Sequence, residues 1–152
     1  MRNLSRAFVS VCVAVVAIYV MSALMARRER ADSVLAQELG PQLSQFSVSK
    51  GDQEVGTLEL INHGGPVGAT RDFKSRRSAD QVAADYSKQL EEYGWKVVES
   101  HTDSRHPLFV RFCKGVTGVD LTIWQKAGEA SYRIALLRNG KDGGKAYCQI
   151  AP

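Results

Sequence analysis

SADQVAADYSKQLEEYG, residues Ser78–Gly94, is the stretch whose reading decides the fold. Ser78 and Gln81 have capping-box spacing, in which the serine oxygen accepts a first-turn amide and the glutamine returns a bond to the cap. Val82, Tyr86, Leu90 and Tyr93 recur at helical spacing with Ala79 and Ala83 beside them, while Asp85, Lys88, Gln89, Glu91 and Glu92 take the wet side. Gly94 supplies an exit. A single-stripe helix of this kind needs a sheet face to cover.

Strand-like runs lie on both sides of it. Downstream, Trp95–Ser100, Leu108–Cys113, Val119–Gln125 and Tyr132–Leu137 are separated by turn residues, and Ala146–Ile150 is a candidate edge strand. Upstream, Glu54–Ile61 and Val67–Phe73 flank a turn at Asn62–Pro66. The connections are too short for repeated parallel crossovers, so antiparallel pairing is expected. The expected class is α+β: a small, mostly antiparallel sheet covered by one amphipathic helix, within a domain spanning residues 54–152.

Ahead of this domain, Ala7–Ala26 (AFVSVCVAVVAIYVMSALMA) carries no charge. As a helix it would reach about 30 Å, the thickness of a bilayer's hydrocarbon core. The sequence therefore predicts a single transmembrane signal anchor at 7–26, behind a short basic tail at 1–6. A cleaved leader is the competing reading, but its small-residue site at Val34-Leu35-Ala36 stands behind Arg27, Arg28, Glu29, Arg30 and Asp32. Residues 27–53 read as a juxtamembrane helix broken at Gly40-Pro41, then a polar spacer from Gln42 to Asp52. Arg2 and Arg6 before the helix and Arg27, Arg28 and Arg30 after it nearly balance, and a cytoplasmic N-terminus with an exported C-terminal domain, at the plasma or bacterial inner membrane, is the favoured orientation.

The formal net charge is +4, and half of it belongs to Arg2 and Arg6, which weakens any nucleic-acid reading of the pI near 9.1. Of the three cysteines, Cys12 lies in the apolar run, whereas Cys113 and Cys148 fall in different expected strands. In an oxidising compartment they can pair, closing a loop worth about 3.5 to 4 kcal/mol in the unfolded chain; two separate buried thiols are the alternative.

Chemistry-bearing patterns are sparse. His101, Asp103 and His106 offer imidazole and carboxylate ligands but no fourth ligand, and Cys113 with either histidine makes a weak nucleophile and base. Gly64–Gly68 and Gly140–Gly144 match neither the P-loop nor the dinucleotide spacing. No catalytic, cofactor-binding or metal residues are assigned. The densest basic cluster, Lys74, Arg76 and Arg77, precedes the helix at Ser78 and is the candidate contact for an anion or an acidic partner, with the helix N-terminus adding donors. The function expected from sequence is a non-enzymatic, single-pass membrane protein in contact with the bilayer through Ala7–Ala26, whose exported domain binds an envelope protein or joins a membrane assembly. An anionic-ligand module using the basic segment and a membrane-tethered enzyme are the alternatives.

Overall fold

The computed structural model describes residues 2–46, 48–62, 65–102, 107–126, 128–139 and 147–148, with side chains described from Val15 onward except those of Arg28 and Ala31. Helix α1 (Arg2–Leu43) leads into β1 (Gln53–Ile61) and β2 (Pro66–Ser75). Helix α2 (Ala79–Glu92) is followed by β3 (Lys96–His101), β4 (Leu108–Lys114), β5 (Thr117–Lys126) and β6 (Glu129–Asn139). All neighbouring strands are antiparallel in one 6-stranded sheet of order β1-β2-β6-β5-β4-β3. That order explains the place of α2: it carries the chain from β2 to the far edge, from which β3 to β6 meander back to pair with β2.

Side-chain alternation divides the sheet into two faces. Phe73, Phe112, Leu121, Ile123, Tyr132 and Leu136 point to the face under the helices and form the core. From α2, Val82, Tyr86 and Leu90 meet them, while Ala79 and Ala83 pack at the margin. The capping box at Ser78 and Gln81 is formed, and Gly94 leaves the helix at φ 81° with its N–H donating to Glu91 O at 2.9 Å. Tyr93 departs from the expected stripe: it is the C-cap, outside helical geometry, and 66% exposed. The opposite face carries an ion-paired row in which Arg111 holds Asp120 at 2.8 and 3.0 Å and Glu99 at 2.8 Å, while Arg133 holds Asp72. Both edge strands break register, β1 between Val55 and Glu59 and β3 between Val97 and Glu99, which blunts them as templates for further pairing.

The largest departure from the sequence reading lies in α1. It is one helix through Gly40 and Pro41 to Leu43, and its C-terminal end docks on the sheet: Leu39 and Leu43 are fully buried, with Phe46 and Val48 packed beside them. The sheet is thus covered by two helices, not one, and three residues of the expected spacer, Leu43, Phe46 and Val48, pack in or against the core.

The expected membrane span is overturned. Among the described residues no helix is long and apolar enough to cross a membrane. The uncharged run Ala7–Ala26 lies within α1, which continues to Leu43. Beyond the run the same helix turns charged at Arg27 and then becomes part of the domain. The readings that depended on the span fall with it: the signal anchor, the bilayer contact through Ala7–Ala26, the envelope or membrane-assembly partner, and the single-pass localisation with an exported domain. The candidate edge strand at Ala146–Ile150 lies largely outside the described residues, of which Tyr147 and Cys148 are in no strand.

Candidate functional site

The end of β2, the turn into α2 and the approach to β1 converge on one groove of about 590 Å³, lined by Lys50, Asp52, Lys74, Arg76, Arg77 and Glu129 among others. Register builds it: Gln53 lies opposite Lys74 on β1 and β2, and Lys74 lies opposite Ser131 on β6, next to the start of that strand. The three basic residues singled out from sequence therefore face one space, together with Lys50, which the spacer reading hid.

They do not have the same role. Arg77 is a strut. Its guanidinium bonds Asp52 and Asp85, and its N–H and Nε both donate to Ser75 Oγ, at 3.2 and 3.1 Å. The planar fork of arginine suits this several-sided role, which lysine could not fill. Asp52 has a side chain only 2% exposed and also accepts from the Tyr132 hydroxyl at 2.7 Å. The network continues inward through Tyr86, whose hydroxyl lies 3.2 Å from that of Tyr132, and Phe73 stacks on the Tyr132 ring at 5.1 Å. Removing one member of such a buried set leaves the others unsatisfied, so the network fixes the groove's floor.

Burial pushes the pKa of both tyrosines up, reinforced at Tyr132 by its bonds to Asp52 and Tyr86. Both hydroxyls keep their protons at neutral pH and serve as donors, not bases. Beside the network, Arg71 hydrogen-bonds Glu54 and lies over the Phe73 ring at 5.1 Å; its bond holds the Glu54 carboxyl below the usual carboxylate range.

Lys50, Lys74 and Arg76 are exposed, and no ion pair among the described residues engages them. With Asp52 neutralised by Arg77, Glu129 is the one uncompensated carboxylate on the described lining. The helix N-terminus adds less than its sequence suggests. Ala79 N–H donates to Gln125 Oε1 at 2.6 Å and Gln81 N–H to Ser78 Oγ at 3.3 Å, so two of its first-turn donors are already bound. An anion here would be held by side chains.

The cysteines lie elsewhere. Cys113 and Cys148 form a disulfide with Cα atoms 5.7 Å apart, on the sheet face away from the helices. It ties a short strap across that face: Tyr147 packs against Arg111, whose guanidinium lies 4.3 Å from its ring centroid, and its N–H donates to Asn139 Oδ1 at 2.6 Å. Gly118 leaves the necessary room, since a Cβ there would stand 2.5 Å from the Tyr147 ring and 2.7 Å from Cys148 Sγ. With its sulfur bonded, Cys113 has no thiolate to pair with a histidine as nucleophile. His101 sits in β3 beside Glu99; Asp103, His106, Gly64 and Gly140–Gly144 lie outside the described residues. Among the described residues no group of three or more His, Cys, Asp or Glu is placed to hold a metal ion.

Sequence reasoning missed Lys50, Asp52 and the tyrosine network. Lys50-Gly51-Asp52 did carry a turn signal, but the ion pair between Asp52 and Arg77 joins residues far apart in the chain and has no local signature. No family model, curated protein or solved structure matches the chain.

Proposed function

We propose that this chain is a non-enzymatic binding domain that captures a compact multivalent anion, of the phosphate or carboxylate kind, in the basic groove. One observation carries the reading: Lys50, Lys74 and Arg76, unpaired among the described residues, rim a groove whose fixed floor is the Arg77–Asp52 pair. The half-buried strut holds the strand end and the turn in place, so the three exposed cations are presented from a fixed frame. Their attraction for an anion acts through solvent and is screened by salt.

Calorimetric titration with inorganic tripolyphosphate tests this. Each exposed charge contact is worth on the order of 1 kcal/mol in water, and about 1.4 kcal/mol is a tenfold change in affinity. The double variant Lys74→Glu/Arg76→Glu is therefore expected to bind at least about tenfold more weakly, with its unfolding midpoint nearly unchanged because both side chains are exposed. Arg77→Ala should instead lower stability, since it strands the buried Asp52 carboxylate. Equal tripolyphosphate affinity in the wild type and the double charge reversal refutes the assignment.

A further inference from the structure

At the other end of α2 lies a second cavity, of about 680 Å³, between the helix C-termini and the sheet. We propose that it binds a neutral saccharide. Its walls combine two kinds of surface. Phe46 and Trp95 meet edge to face, with ring centroids 6.1 Å apart, and the exposed Tyr93 belongs to the same lining. Around these rings stand the side-chain amides of Gln42, Gln45 and Gln89, which no hydrogen bond engages among the described residues.

The lining offers little to hold a cation. No carboxylate is part of it, and its one cation, Lys114, donates to Tyr93 O at 2.7 Å. Thr117, the remaining polar wall residue, already accepts from Arg138 Nε at 3.1 Å. The groups that can meet a ligand are thus aromatic faces and primary amides, with the Thr117 O–H and the remaining N–H bonds of Lys114 as further donors. An amide presents both donors and an acceptor, which matches hydroxyl groups that also donate and accept. A sugar ring offers an apolar face of C–H bonds to an aromatic ring and a rim of hydroxyls to the amides, and the cavity is within the size range of small-molecule sites.

The test uses tryptophan fluorescence in the full chain. Trp124 is exposed in β5, and Trp124→Phe leaves Trp95 as the reporter. Titration with maltotriose and with N-acetylated chitotriose is expected to give a saturable change in Trp95 emission with at least one of them, insensitive to salt. Gln42→Ala/Gln45→Ala, at two exposed positions, should weaken it about tenfold, as the loss of one to two net hydrogen bonds implies. Lys74→Glu should leave it unchanged, which separates this site from the basic groove. The proposal is overturned by no response to either saccharide, by a response indifferent to the glutamine substitutions, or by tighter binding of triglycine than of both sugars.

Discussion

Leu39→Ala is expected to destabilise the protein by about 2 to 5 kcal/mol, the range for deleting a fully buried leucine and leaving a cavity. The side chain has no exposed surface and lies in the same cluster as Phe73, Val82 and Tyr132, although it precedes β1 by a stretch that reads as polar spacer. The cost arises because α1 covers its half of the sheet at this point: Leu39 and Leu43 face the core, while Gly40 lies against the methyl groups of Leu58 and Leu60. Urea denaturation measures it, and Glu38→Ala, at the neighbouring exposed position, provides the comparison. If Leu39→Ala shifted the midpoint no more than that surface change, typically within about 0.5 kcal/mol, the helix end would be a tether and not part of the domain.

Reduction of the Cys113–Cys148 bond is expected to cost a comparable amount. The bridge joins residues at a sequence separation of 35, and opening a loop of that size returns about 4 kcal/mol of conformational freedom to the unfolded chain. The folded state loses contacts as well, since the bond holds Tyr147 against Arg111 and over Gly118. Unfolding free energies from urea denaturation with and without dithiothreitol should differ by this much in the wild type and not at all in Cys113→Ala/Cys148→Ala. An oxidised wild type no more stable than its reduced form would show that the strap adds nothing to the fold.

The parts of this fold that local pattern could reach are those whose partners lie near in sequence. The capping box at Ser78, the stripe of Val82, Tyr86 and Leu90 and the glycine exit are each set within a few residues, and α2 forms as its sequence implies. The alternation in Leu108–Cys113 and the turn residues around it likewise announce a meander. What stayed hidden depends on distant contacts. Pro41 reads as a helix breaker, yet it stands in the last turn of α1, where the missing N–H costs one bond close to a natural end. Gly40 reads as a weak point, but it is buried against Leu58 and Leu60, where an added Cβ would stand at an ordinary contact distance of 3.4 to 3.9 Å. Serines and glutamines from Gln42 to Asp52 masked the inward-facing Leu43, Phe46 and Val48. At the candidate site the cluster of Lys74, Arg76 and Arg77 was visible as charge. The division of labour within it was not, because it is set by Asp52 and Asp85 reaching Arg77 from two other segments.

The most direct test of the account is a two-dimensional amide NMR titration of the full chain with inorganic tripolyphosphate, at low ionic strength and again at about 1 M salt, where the screening length falls to about 3 Å. The predicted result is a saturable set of shifts confined to Lys50–Gln53 and Lys74–Arg77, present at low salt and lost at high salt. Shifts spread over lysines and arginines across the whole surface, or none in these two segments, would contradict it.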